Sequence, residues 1–323
     1  MGGQLSFLAP VLGLVLRRVD RASSAGVIKA YVAAGHGDDD IARQEVLAKV
    51  MMATGLGFSL GSSLGGWLSV YGANTVASAA SAIALGAALI AAQVLEPEST
   101  AQQPPVQQAS CMAGGEGVWR SVGQPGVTGL LAVRFIVGVA FFFITSTFDL
   151  YCRERFGFTP AQFGYFLSYI GLCFSMVSGL VVPPLVARYP SRFLFMAGLC
   201  IMALARLGLG LARTVPQVLL ADFFVALGSS VVGTTGSSLL AEVGPAQETG
   251  LRMGLSESAQ SLAGVVTPAL AGYLYEQYGN SAPGFSAAAF CMVALALFSV
   301  SVPKGLGLAM GSNGLKGDKA KRA

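Results

Sequence analysis

Charged residues standing inside otherwise apolar stretches are where this chain could do chemistry. Asp222 and Glu257 are two such residues, and a charge at the centre of a spanning helix costs roughly 2.5–3.5 kcal/mol on insertion scales. Desolvation disfavours the ionised form there, the condition a carboxylate needs to take up and release a proton during a conformational cycle. Both are therefore proton-coupling candidates. The competing reading is simple pairing of each carboxylate with a nearby arginine, such as Arg134. At helical spacing, Asp222, Ala226, Ser229, Gly233 and Ser237 form a small, polar stripe that reads as a cavity wall, and Glu257 stands with Ser261 and Gly264. A second face collects Arg134, Gly138, Phe141 and Thr145, flanked by Phe148 and Asp149. An aromatic and polar lining of that kind suits a drug-sized amphipathic solute, although most of the Phe141-Phe142-Phe143 run is expected against lipid. Nearer the start, Arg18, Arg21, Ala25 and Lys29 share one stripe, with Asp20 able to neighbour Arg17. That stripe should face water, an anion or substrate, or else mark a poorly inserted segment. Arg206 either snorkels or pairs structurally.

Other chemistries find no support. His36 is the only histidine and the five cysteines are scattered without a Cys-x-x-Cys pair, which argues against a metal site, a disulfide framework and a histidine-based proton shuttle. No nucleophile with its base and no phosphate-cradling loop occurs, so no enzyme activity, cofactor, metal or nucleic-acid partner is expected.

The elements that would hold these residues are long and apolar. The chain of 323 residues is 54% hydrophobic and 11% charged, with mean hydropathy +0.65, against roughly 25% charged in soluble domains. Its 42 glycines suit helices packed closely in lipid. Stretches of spanning length run approximately over 10–34, 45–68, 74–95, 127–151, 160–186, 192–212, 216–241, 251–275 and 284–302. The expected fold is all-α, a polytopic membrane bundle of about nine spans. Residues 96–126, beginning Glu-Pro-Glu-Ser-Thr, are too polar to fold alone and read as a flexible cytoplasmic linker. That divides the chain into a partial half (1–95), the linker, a complete six-helix half (127–303) and a basic tail (304–323). A cytoplasmic C-terminus places Lys304, Lys316, Lys319, Lys321 and Arg322 inside with Arg43, Arg120, Arg188, Arg192 and Arg252, leaving Arg153, Arg155 and Arg213 outside.

An internal repeat links the two halves. Ser63 to Asn74 and Ala269 to Asn280 end alike, Gly-Trp-Leu-Ser-Val-Tyr-Gly-Ala-Asn against Gly-Tyr-Leu-Tyr-Glu-Gln-Tyr-Gly-Asn, with Arg43 and Arg252 at nearly the same offset upstream. Because the second span matches the eighth, the repeat predicts that about three helices belong ahead of Met1, in an incomplete or alternatively started chain. In the first copy, Gly57, Gly61 and Gly65 recur every four residues and invite close approach of a neighbouring helix. Gly57 to Gly66 resembles the fifth-helix antiporter motif of the major facilitator superfamily, with Ser62 in place of its proline. The repeated copy keeps that proline as Pro268 and retains Gly272, while Ala271 replaces the other glycine of the pair. Pro184 to Arg192 is similar to the same superfamily's cytoplasmic loop motif, with Ala187 in the acidic position and Arg188 and Arg192 kept. The likeness covers almost the whole chain and is nearest in character to tetracycline-transporter-like and organic-cation-transporter-like members. It implies that the first span is a cavity-lining helix, and that the protein moves a small organic solute by alternating access within the lipid bilayer, with proton-coupled antiport of a drug-like or organic-cation substrate as the leading expectation. Facilitated diffusion or symport, and a non-transporting membrane protein that regulates or scaffolds its partners, are the alternatives.

Overall fold

The computed structural model describes residues 40–94, 123, 126–243 and 248–302. The 10–34 stretch with Arg18, Arg21 and Lys29, most of the linker and the basic tail lie outside the described residues. Within them the chain is helical, forming α1 (Asp40–Leu68), α2 (Ala73–Val94), α3 (Val127–Phe156), α4 (Pro160–Arg188), α5 (Ser191–Leu211), α6 (Val215–Glu242), α7 (Thr249–Tyr278) and α8 (Ala282–Ser301). Six of these are long and apolar enough to cross a membrane: α1, α3, α4, α5, α6 and α8. Of the nine expected spans, 10–34 lies outside the described residues, and 74–95 and 251–275 fall short for a compositional reason. The α7 sequence carries Arg252, Glu257 and Glu276 among serines and glycines, and the described apolar stretch of α2 is only Asn74–Ala87.

The turns between helices are short, so successive helices run antiparallel. One end of the bundle carries the α1–α2, α3–α4, α5–α6 and α7–α8 turns; we call it the far end. The other, the linker-side end, receives the start of α3 and the end of α8. Two far-end turns are closed by reciprocal caps in which a threonine and a glutamine three residues on satisfy each other's backbone N–H groups, Thr159 with Gln162 and Thr214 with Gln217. In both, a proline in the first turn fixes φ where no N–H partner is needed. Gly157, at φ 66°, supplies the left-handed residue that ends α3.

In the packing, α3 lies against α7 and α8, α8 against α5, α5 against α6, and α4 chiefly against α1. A linker-side core gathers Leu130, Val133, Phe195, Leu199, Met202 and Phe298 from α3, α5 and α8. A far-end core gathers Phe148, Tyr151, Phe166, Leu209, Val218 and Tyr275. Small residues set the closest approaches. A Cβ on Gly284 of α8 would stand 2.5 Å from the Gly210 nitrogen of α5, and one on Gly228 of α6 would stand 2.8 Å from the Gly198 oxygen. Arg192 fastens α5 to the end of α8, donating from Nη1 to the Val302 oxygen at 3.1 Å with its guanidinium 5.2 Å from the Phe298 ring centroid.

Midway along α4 the helix widens into a π turn over Val177–Val181. Pro183 and Pro184 follow after Val182, and because neither has an N–H, two carbonyls of the preceding turn lose their regular partners. The wider turn accommodates that loss. Ser178 then reaches across to Ser230 of α6, Oγ to Oγ at 3.0 Å.

Candidate functional site

Arg134 is buried on α3 one turn below Gly138, whose missing side chain brings α7 close: a Cβ there would stand 3.1 Å from Ala263 Cβ and 3.3 Å from Gln260 Cγ. On the facing turn of α7, Ser256 Oγ accepts a hydrogen bond from Arg134 Nε at 3.2 Å, and Glu257 Oε1 lies 3.9 Å from Nη2. The side chains of Arg134 and Glu257 are 10% and 12% exposed. A pair this sheltered sees little solvent screening, and each charge depends on the other to remain tolerable. Of the two readings left open for Glu257, pairing with Arg134 is therefore the one with geometry behind it.

Asp222 occupies a different place. It lies in the first turns of α6, 6% exposed, with Oδ2 buried and making no hydrogen bond. Its electrostatic partner is Arg206 of α5, 1% exposed, whose Nη1 donates to Cys291 Sγ of α8 at 3.6 Å and whose Nε makes no hydrogen bond. Arg206 is thus fully enclosed and does not reach an interface. Tyr151, Cys152, Tyr169 and Cys173 complete the electrostatic surroundings of Asp222. The two carboxylate candidates do not form one site. Arg134 and Tyr151 mark their levels on α3, and the offset of seventeen residues corresponds to about 25 Å of helix rise. Glu257 serves the linker-side third of the bundle and Asp222 the far-end third.

Beside the Asp222 cluster is a small cavity of about 10 Å³, lined by Ile144, Thr147, Phe148, Tyr151, Leu209, Asn280, Pro283 and Gly284, enough for one water molecule. At its outer edge Tyr275 Oη sits 2.7 Å from Glu154 Oε2 and 2.8 Å from Asn280 Oδ1. Nothing local in the sequence singles out Tyr151, Glu154, Tyr275 and Asn280, because they converge from α3, α7 and the α7–α8 turn. Among the described residues no three of His, Cys, Asp and Glu group as a metal site would need.

The remaining predicted residues are spread out. Phe141 is 41% exposed, and Thr145 is exposed with its hydroxyl turned back to the Phe141 oxygen at 3.2 Å. Ser229 likewise returns its hydroxyl to Ala226 at 3.1 Å. The stripe on α6 is partly covered by α1, since a Cβ on Gly233 would meet Met51 Cε at 3.1 Å and Thr234 Oγ1 donates to Met51 Sδ at 3.5 Å. Phe143 departs from the lipid-facing expectation for its run: it is fully buried, its ring 5.9 Å from that of Phe290.

Among the described residues no atom from outside the glycine's own stretch of helix lies within 4 Å of a Cβ built on Gly57, Gly61, Gly65 or Gly272. The close approach of α1 falls on the adjoining stripe, Gly55, Ser59, Ser62 and Gly66, against Gly164, Ser168, Gly171 and Ser175 of α4. A Cβ on Gly66 would stand 2.9 Å from Gly164 Cα and one on Gly171 2.8 Å from the Ser59 nitrogen. Ser59 Oγ donates to the Ser168 oxygen at 2.8 Å and Ser175 Oγ to the Met52 oxygen at 2.9 Å. Only Gly66 of the predicted set takes part. Pro268 is inside α7, where the Thr267 hydroxyl bonds the Ala263 oxygen.

A family model described as Major Facilitator Superfamily matches residues 40–212 and 170–315. Solute carrier family 22 member 18 of Rattus norvegicus is 29% identical over 249 residues, 75% of this chain and 60% of that protein. Solute carrier family 67 member A1 of Homo sapiens is 26% identical over 244 residues, 73% of this chain and 58% of that protein. The chain thus spans about 60% of the length of the curated relatives it matches. Among solved structures, the human organic anion transporter MFSD10 (TETRAN) superimposes with a TM-score of 0.62 at 22% identity, covering 84% of this chain and 67% of that one; that likeness establishes the fold.

Proposed function

Because the chain belongs to the Major Facilitator Superfamily, we propose that this integral multi-pass protein is a secondary transporter moving a small organic solute by alternating access. Two groups of helices rock about a shared seam, and the solute's differential contacts in the two states drive the exchange. The α1–α4 contact supports that picture, since it joins the last helices before the linker to the half after it through backbone-close small residues. We place the linker-side end in the cytoplasm, following the excess of Lys and Arg there.

Proton-coupled antiport of a drug-like or organic-cation solute is the specific reading. The observation that carries it is Asp222, enclosed within the half-bundle with a carboxylate oxygen lacking a hydrogen-bond partner. A wholly structural carboxylate has both oxygens satisfied; one left open is prepared to gain and lose a proton. Glu257 differs in being held by Arg134, which assigns it to positioning. The test is uptake of a lipophilic organic cation, tetraphenylphosphonium, into proteoliposomes under an imposed pH gradient. Asp222→Asn abolishes gradient-driven uptake while leaving exchange of the same cation at equal pH intact. Gradient-driven uptake that persists in Asp222→Asn overturns the assignment, and uptake equal to empty liposomes for the unaltered chain overturns transport itself.

A further inference from the structure

Met51 and Met52 are neighbours on α1 and therefore point about 100° apart. Each meets a glycine on a different helix of the half that follows the linker. We infer that Met51 is a gate that closes the solute pathway toward the linker-side end, and that Met52 is the anchor about which α1 swings to open it. The inference rests on the alternating-access reading proposed above.

At Met52 the contact is backbone-bound. Ser175 Oγ of α4 donates to the Met52 oxygen at 2.9 Å. Met52 Sδ fills the notch left by Gly179 in the π turn, where any side chain would run into the sulfur. Gly55, one turn further along α1, continues the contact, since a Cβ there would stand 2.9 Å from the Ser175 nitrogen. A seam held at backbone distance has no side chain that could turn and let it slide.

The Met51 contact differs in kind. A Cβ on Gly233 of α6 would stand 3.1 Å from Met51 Cε, and Thr234 Oγ1 donates to Met51 Sδ at 3.5 Å. A thioether is a weak acceptor, and the methionine side chain has three rotatable bonds, so rotamer changes alone can release it. A contact that breaks and re-forms in every transport cycle needs that character, because moving elements are drawn from the weakly held part of a fold. Ser178 of the π turn meets Ser230 of α6, Oγ to Oγ at 3.0 Å, which ties together the two helices that receive the methionines. Movement here is therefore α1 against α4 and α6 as one body.

What Met51 covers is the stripe on α6 expected to face solute. Ser229, on the far-end side of Gly233, is partly exposed, whereas Ser237, one turn nearer the linker-side end, is 4% exposed. Ala48, one turn nearer that end on α1, extends the closure by joining Val182 and Val186 of α4 and Val231 of α6 in one apolar cluster. The gate stands closed in this structure.

Paired cysteines test the gate against the anchor. One variant combines Met51→Cys with Gly233→Cys, the other Ser59→Cys with Ser168→Cys on the fixed seam. Each full chain is reconstituted in proteoliposomes, oxidised with copper phenanthroline, and compared with the same preparation after dithiothreitol, so that effects of the substitutions themselves cancel. The unaltered chain, treated alike, corrects for its own five cysteines. Expected is that both pairs cross-link, and that oxidation lowers tetraphenylphosphonium uptake about tenfold or more in the first variant, reversibly, while changing it little in the second. Undiminished uptake in the fully cross-linked first variant overturns the gate, as does its failure to cross-link. Arrest of the second variant as well overturns the anchor. No uptake by the unaltered chain overturns transport itself. Where the first variant is inactive even when reduced, the gate is read by labelling in detergent: Met51→Ala should speed reaction of Ser237→Cys with a water-soluble maleimide about tenfold, and an unchanged rate overturns the gate.

Discussion

Replacing Gly164 by alanine tests whether the α1–α4 seam is held at backbone contact. The added Cβ would stand 2.5 Å from Gly66 Cα, 2.9 Å from the Ser62 oxygen and 3.1 Å from the Gly66 nitrogen. All three are backbone atoms of α1, so no side-chain rotation relieves the overlap. Since carbon atoms rest about 3.5–4.0 Å apart, α1 must retreat by roughly 1 Å at this point. Overpacking of this size costs about 1–3 kcal/mol. The Ser59–Ser168 bond, one turn away, stretches as well, and an interhelical bond in a membrane contributes about 0.6 kcal/mol. The control is Gly208→Ala in α5, where the new Cβ finds only Ala221 at 4.0 Å. It should leave stability within about 0.5 kcal/mol. Thermal unfolding in detergent gives the stabilities, and disulfide cross-linking between Ser59→Cys and Ser168→Cys reports the seam itself. Gly164→Ala is expected to unfold at lower temperature than the control and to cross-link more slowly. Equal unfolding temperatures together with undiminished cross-linking would refute the reasoning, because a seam that takes a methyl group without moving is not at backbone contact.

Three further outcomes are expected. In a double-mutant cycle on Arg134→Leu and Glu257→Leu, each single change should destabilise more than the double, with a coupling of about 1 kcal/mol or more in chemical unfolding; a coupling of zero removes the ion pair from the account. Gly284→Ala should destabilise by about 1–3 kcal/mol, since its Cβ would press on Gly210 N at 2.5 Å and on the Arg206 oxygen at 3.0 Å. Gly210→Ala, which meets only Phe285 at 3.4–3.5 Å, should be tolerated in the same melting assay, and equal losses from the two would sink this argument. Thr159→Ala removes the capping oxygen at the start of α4 and should cost about 1 kcal/mol, seen as faster hydrogen exchange at Gln162; unchanged exchange would count against the cap.

Helix positions were legible in the sequence because lipid imposes long, uninterrupted apolar stretches. The predicted stretch 127–151 corresponds to α3 and 160–186 to α4. The ends were less so. Hydropathy falls at Arg153, yet α3 continues through Phe156, because a helix stops at a backbone signal, here Gly157 with its left-handed φ, and not at the first charge. For the candidate site, sequence located the charged groups and left their partners open. Which arginine meets Glu257 depends on α3 facing α7, a tertiary fact that spacing along one chain does not encode. The glycine stripe illustrates the same limit. Gly57, Gly61 and Gly65 have the regular four-residue recurrence, but a packed face can equally be built from Gly55, Ser59, Ser62 and Gly66, whose 4-3-4 spacing and mixed residue types conceal it.

The widened turn at Val177–Val181 has a genetic corollary. Its surplus residue sets the phase between the two parts of α4, so that Gly164 and Gly171 meet α1 while Val182 and Val186 join Ala48, Leu194 and Val231. Deleting one codon from that turn would restore regular winding and rotate everything after it by about 100°. Val182 and Val186 would then swing away from their neighbours. An in-frame loss of a single residue there should be worse tolerated than any conservative replacement in the same turn.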